Sequence, residues 1–207
     1  MSSSTPSSND RATPGEPASQ HKAHAPRVVR VFGLTVSDTR TPDNDEGGRL
    51  IRERIAAAGH TLTGHAIVKD DPEAVREVIR RLAAERGADV LITTGGTGIS
   101  GRDNTYEAVA GLLDKRIDGF GELFRMLSYQ DIGSPAMLSR AVAGLHKGLV
   151  IFTLPGSPSA VRLGLDKLIV PELGHLKFEV GRGHGPGHGH GHGHGPGTPK
   201  SSDGAMP

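Results

Sequence analysis

The sequence predicts an α/β chain, a three-layer α/β/α domain with a mostly parallel central sheet, and three observations carry that prediction. The runs Val28–Val36, Val90–Ile92 and Leu149–Phe152 are short, nearly all apolar and rich in β-branched residues, as strands covered on both faces are, and Leu62–Val68 is a further strand candidate. Between them lie stretches whose apolar residues recur at helical spacing. The turn after Ile92 holds Gly95, Gly96, Gly98 and Gly101, far more glycine than a strand-to-helix connection needs. Alternating strands and helices imply right-handed crossovers onto one sheet.

The elements follow in order. Residues 1–26 are Ser, Pro, Ala and Thr without apolar period, and such a stretch buries too little to offset its ordering entropy, so a disordered Ser/Pro-rich N-terminal tail is expected there. The folded domain is expected over 27–179. Its first strand leads into the loop Ser37–Gly48 and a helix carrying Leu50, Ile51 and Ile55 that Gly59 stops. Asp71-Pro72 opens a helix with a capping acid and a first-turn proline, and Val75, Val78, Ile79 and Leu82 give it one buried stripe. After the glycine turn, Asn104 and Glu107 read as a capping box, with Tyr106, Val109, Ala110 and Leu113 at helical spacing. Helical stretches are expected around Phe120–Leu127 and Met137–Val142, with Phe120 and Phe124 facing a core or a subunit interface. Ser157 and Pro158 start a last helix with Val161, Leu165, Leu168 and Ile169 on its buried side, which Pro171 should close.

Composition narrows the function. Lys and Arg number 24 against 23 Asp and Glu, and aromatics are 3%, so the basic, aromatic-studded face of a nucleic-acid binder is not indicated. With no cysteine there are no disulfides, thiolate metal sites or cysteine nucleophiles, which suits a reducing cytoplasm. No run reaches the roughly 18 apolar residues of a membrane span. A cytoplasmic protein is therefore expected.

In a sheet of this kind a ligand lies beyond the carboxyl ends of the strands, where Ser37–Gly48, Lys69–Asp71, Thr93–Asp103 and Leu154–Ser157 gather. The glycines of the third loop let main-chain N–H groups converge, which makes an anion cradle. The string Gly96–Gly101 formally matches G-x-G-x-x-G, but Asp103 and Asn104 interrupt and no second strand follows, so a dinucleotide site is not supported. No Gly-Lys-Ser/Thr follows for a Walker loop.

The run Thr93-Thr94-Gly95-Gly96-Thr97-Gly98 with Arg102-Asp103 closely resembles the hallmark of the molybdopterin-binding domain of molybdenum-cofactor biosynthesis proteins of the MoaB and MogA kind, also seen in gephyrin-like proteins. Further pieces resemble the same family in the same order: Val36–Arg40, Asp45–Gly48, Gly119–Glu122, Leu138–Ala141 and Leu154–Pro158. The likeness spans roughly Val28 to Leu176, and the MoaB branch fits best.

The resemblance implies an α/β/α domain, trimeric or hexameric, that binds molybdopterin. In enzymatic members it transfers AMP from Mg-ATP to the terminal phosphate of molybdopterin, releases pyrophosphate, and passes the product to a partner that inserts molybdate. It puts the family acids on Asp70 and Asp103, near Mg²⁺ and the phosphates; helix capping is the alternative role, and Asp71 competes with Asp70 for it. It gives Gly95, Gly96, Thr97 and Gly98 to molybdopterin, and Ser37 and Asp38 to the nucleotide side. Gly47 and Gly48 would let backbone approach ATP, though a plain helix start explains them nearly as well. Pro155, Gly156 and Ser157 would present a helix N-terminus, with an ordinary Ser-Pro cap as the equal alternative. Arg40 and Arg102 are candidate phosphate clamps and Glu122 a candidate nucleotide contact, each against the commoner solvated role.

Residues 180–207 read as a disordered His/Gly-rich tail. Alternating glycine leaves His184, His188, His190, His192 and His194 on a tether that suits loose binding of Ni²⁺, Zn²⁺ or Cu²⁺. His60, His65, His146 and His175 are scattered without ligand spacing and receive no chemistry. Three readings stand: a molybdopterin adenylyltransferase, a non-catalytic molybdopterin-binding protein of the same fold, and a metal-handling protein acting through the tail.

Overall fold

A computed structural model of the chain describes residues 28–182. The expectations for the N-terminal tail and for the five tail histidines lie outside the described residues; residues 180–182, expected in the tail, instead complete the last helix, Leu173–Arg182.

The order is β1 (Arg30–Val36), α1 (Glu46–Ala57), β2 (Thr61–Val68), α2 (Pro72–Glu85), β3 (Val90–Thr94), α3 (Thr105–Ala110), β4 (Lys115–Arg116), α4 (Asp118–Ile132), a 3₁₀ segment (Ser134–Leu138), β5 (Val142–His146), β6 (Leu149–Leu154) and α5 (Pro158–Gly164). A π turn (Leu165–Ile169) and a 3₁₀ turn (Val170–Glu172) then lead into α6 (Leu173–Arg182). The strands form one sheet in the order β2-β1-β3-β6-β5-β4. β1 pairs in parallel with β2 and β3, and β3 with β6, while β4 and β5 run antiparallel.

The central strands are apolar on both faces because both faces are covered. Val90 and Ile92 of β3, with Val150 and Phe152 of β6, pack with Ile51, Ile55, Phe124, Val161 and Ile169 on one side. Leu91 and Ile151 point the other way, to Val75, Ile79 and Val109. Two cores therefore share one sheet, α1, α4, α5 and α6 over one face and α2 and α3 over the other. Since α1 and α2 take opposite faces, the chain turns from β2 back across β1 to β3. The sheet reverses its winding between β1 and β3, which opens a crevice at their carboxyl ends.

Local chemistry fixes the helix starts. Asp45 Oδ1 accepts from Gly48 N at 2.9 Å, Asp71 Oδ1 from Glu73 N at 2.9 Å, and Ser157 Oγ from Ala160 N at 3.4 Å. Phe120 and Phe124 are core residues, and Phe120 meets Phe152 edge-on at 5.0 Å.

Three expectations are corrected. The helix expected over Met137–Val142 is a 3₁₀ segment ending at Leu138, followed by β5, because Val142 to His146 complete a hairpin with β6 through Lys147-Gly148. The capping box at Asn104 does not form: its amide donates to Arg102 O, and Glu107 pairs with Arg140 instead. Pro171 does not end the helical run, since a proline in the first turn of a 3₁₀ segment leaves no N–H orphaned and α6 follows directly.

Candidate active site

β3 ends at Thr94 and the backbone turns sharply into Gly95, φ +98°, and Gly96, φ +62°. A Cβ at Gly95 would strike Val36 O at the end of β1, and one at Gly96 would lie 2.7 Å from Asp70 Oδ2 and strike the Thr105 hydroxyl. Only glycine fits both the left-handed dihedrals and the close approach. Gly98 is similarly pressed, 2.6 Å from Asp103 Oδ2 by the same measure. The turn is stitched to its neighbours by Gly95 N to Leu154 O at 3.1 Å, Thr105 N to Gly96 O at 2.9 Å and Thr94 Oγ1 to Pro155 O at 3.1 Å.

The crevice it floors is a cavity of about 620 Å³, within the range for small-molecule sites. Loops from four strand ends meet there and bring in Ser37, Asp38, Arg40, Gly47, Asp70, Gly95 to Gly98, Arg102, Asp103, Pro155 and Gly156. Pro135, with Leu138 and Ser139 from the Leu138–Ala141 piece, forms a further wall.

The two acids sit in opposed environments. Asp70 is half-buried, and that burial raises its carboxyl above the ordinary carboxylate value; the charges of Asp103 and Asp38 push the same way, against the N–H of Asn104. Asp103 is lowered, chiefly by the Ser100 hydroxyl at 2.6 Å, with Ser100 N at 3.0 Å adding to it. Neither carboxylate caps α3. Asp38 Oδ1 accepts from Asp70 N at 3.3 Å, so three carboxylates surround the glycine turn.

Not every expected residue reaches the cavity. Gly48 faces inward, where a Cβ would strike Asp45 Oδ2 and His65 Nε2, so it serves packing rather than ligand approach. Ser157 caps α5 and stands off the lining, and Glu122 lies exposed on α4 away from it. Within the turn, Gly95 N–H is taken by Leu154 O and the Gly98 N–H faces Asp103. The donors without a hydrogen bond among the described residues are Gly96 and Thr97, half of the expected four. Arg40 and Arg102 both line the cavity, and Arg40 also donates to Asn44 O at 2.8 Å, which ties it to its own loop.

The family model described as "Probable molybdopterin binding domain" matches residues 33–175. The chain belongs to that family. Relatives of this molybdopterin-binding-domain member include the molybdenum cofactor biosynthesis protein B of Bacillus cereus, 52% identical over 164 residues that span 79% of this chain and 97% of the relative. The protein of the same name from Staphylococcus carnosus is 54% identical over 157 residues, 74% of this chain and 92% of that one. A crystal structure of a molybdenum cofactor biosynthesis protein B superposes with a TM-score of 0.74 at 53% identity, covering 76% of this chain and 99% of the other. The tungsten cofactor synthesizing protein MoaB from Pyrococcus furiosus gives 0.67 at 38% identity, over 75% and 99%.

Two features of this family member escape the sequence. Arg140, just before β5, donates to Thr97 O at 2.9 Å, Asp103 O at 3.1 Å and Gly98 O, pairs with Glu107, and stacks 5.1 Å over Tyr106. It holds the carbonyl side of the glycine turn, which leaves the N–H side toward the cavity. Beneath the Ser37 loop, buried Asp45 Oδ2 accepts from the Thr35 hydroxyl at 2.8 Å and meets His65 Nε2 at 3.2 Å. Burial lowers His65, which the Asp45 charge partly offsets. Long sequence separation hides both; the Leu138–Ala141 stretch was the one signal for Arg140.

Proposed function

We propose that this chain acts in molybdenum cofactor biosynthesis by binding molybdopterin in the crevice and transferring AMP from Mg-ATP to its terminal phosphate. The observation that carries this reading is the pair Asp70 and Asp103 pressed against a glycine turn whose Gly96 and Thr97 N–H groups have no partner among the described residues. Family membership and the names of the relatives support the substrate.

A terminal phosphate oxygen of molybdopterin forms the new bond to the α-phosphorus of ATP, the bond to the β-phosphate oxygen breaks, and pyrophosphate leaves with that electron pair. A phosphate dianion needs no base, so the chain's task is positioning and charge management. The N–H groups of Gly96 and Thr97 receive phosphate oxygens, and Arg102 adds positive charge at the rim. Among the described residues no three His, Asp or Glu side chains form a ready metal-ligand group. Two carboxylates still fit Mg²⁺, a cation that takes one or two from protein and the remaining oxygens from phosphate and water. Mg²⁺ held by Asp70 and Asp103 would supply charge neutralisation between the two anionic substrates. Asp70, raised by burial beside other acids, is the group such a cation would relieve.

Asp103→Ala should cut pyrophosphate release in the presence of molybdopterin and Mg-ATP by about 100-fold while molybdopterin still binds. Wild-type rates in that variant would overturn the assignment. A non-catalytic molybdopterin holder is favoured by one observation, the engagement of Asp103 by Ser100. Tight pterin binding by wild type without any pyrophosphate release would establish it instead.

The reading carries a homotrimer or hexamer. Leu123, Met126 and Tyr129 follow one another at three-residue steps on α4 and are 47%, 50% and 64% exposed, with Met137 and Leu138 beside them in the chain's next segment. An apolar stripe of this kind suits contact with a second copy.

A further inference from the structure

A second cavity, of about 300 Å³, lies at the other end of the sheet, where β1, β3 and β6 begin. Leu82 of α2 and Leu149 and Val150 of β6 give it a buried apolar floor. Four cations line it, Arg30, Arg86, Lys147 and Lys177, against a single acid, Asp89.

Asp89 is already shared. Its carboxylate meets Arg30 Nη2 at 3.0 Å and Lys177 Nζ at 2.8 Å, so the trio keeps one positive charge. Arg86 and Lys147 make no side-chain hydrogen bond or ion pair among the described residues. They are also the two non-glycine residues there with positive φ, 50° and 48°. A cation suits the negative end of a helix, which accounts for Arg86 at the end of α2. It does not account for Lys147, because a two-residue hairpin turn favours asparagine or glycine at that position. Both backbone sites are occupied by residues they disfavour, and each disfavoured residue is a cation on the rim of the same cavity.

We propose that this cleft is a second anion site that takes a small phosphate monoester, its phosphate between Arg86 and Lys147 and its apolar body over Leu82 and Leu149. Arg86 and Lys147 have no side-chain partner among the described residues, although the Asp114 carboxylate accepts from Lys147 N at 2.6 Å; beside a trio that keeps one positive charge, the two cations match a dianion better than a singly charged carboxylate. None of these residues lines the crevice, so the inference stands apart from the adenylyl-transfer reading.

Calorimetric titration of the full chain with phenyl phosphate tests it. One saturable event should weaken by about tenfold or more in the Arg86→Asn, Lys147→Asn double variant, and benzoate should bind the wild type about tenfold more weakly than phenyl phosphate. Asparagine accepts the left-handed backbone, so the variant's thermal midpoint should stay at or above that of wild type; if it falls, Lys147→Asn alone is titrated and should show the same loss. No saturable binding, unchanged affinity in the variants, or equal affinity for benzoate would each overturn the proposal.

Discussion

Asp70 is a carboxylate that folding makes harder to ionise, and this has a consequence for stability as well as for chemistry. A raised folded-state value means the native chain holds that proton more tightly than the unfolded chain. The associated stability is full below the ordinary value of 3.8 and is lost as pH rises through the folded value. At neutral pH the ionised group therefore works against the fold. Asp70→Asn should keep or raise the thermal midpoint at pH 7, and the variant's advantage should vanish in acid, while pyrophosphate release falls by about 100-fold. A lowered midpoint with retained release would reverse both assignments. The acids were legible in the sequence because they flank a motif, but their opposite environments were not. Those come from folding: burial, with the charges of Asp103 and Asp38 beside it, raises Asp70 against the Asn104 N–H, while Ser100 lowers Asp103.

Helices and parallel strands were legible because their cause is local: β-branched runs for β1, β3 and β6, and the Val75 to Leu82 stripe for α2. β5 was hidden by its own composition. Ala143 and Gly144 lack strand propensity, and Gly144 is there because a Cβ would lie 2.8 Å from Leu113 Cδ1 and strike Lys115 O of β4. The capping box failed for a similar reason: Arg140, 33 residues downstream, takes Glu107 away from the helix start. At this scale Asp89 joins β1 to α6, accepting from Arg30 N at 2.9 Å and from Lys177. Burial alone would raise it, but the bonds from Arg30 and Lys177 prevail and it is lowered. Its contribution is thus present above the ordinary value of 3.8 and lost as pH falls through the folded one. Asp89→Asn should melt earlier than wild type at pH 7, with the two curves converging in acid once the pH has fallen through the lowered folded-state value, in an acid titration followed by circular dichroism. Parallel curves at every pH would remove the charge from the explanation.

Across the whole molecule, two cores on one sheet hold the crevice at one end and the cationic cleft at the other, while α4 turns an apolar stripe outward. Among the described residues no helix is long and apolar enough to cross a membrane. The stripe is the place to test assembly. Met126→Lys should shift the mass by light scattering from an oligomer toward the protomer, leaving far-ultraviolet circular dichroism unchanged; an unaltered mass would move the contact elsewhere.

His65 lies in a slot between two strictly small neighbours, since a Cβ on Gly33 would come within 2.7 Å of its ring and one on Gly48 would strike it. Such a trio constrains the order in which mutations can accumulate. Gly48→Ala in the present background should cost about 1–3 kcal/mol, measured by denaturant melting. The same change made after His65→Ala should cost less, though Asp45 still crowds the position. Lineages that have lost the histidine are therefore those in which a larger residue at Gly33 can become established, and in sequences that keep the imidazole both glycines stay locked.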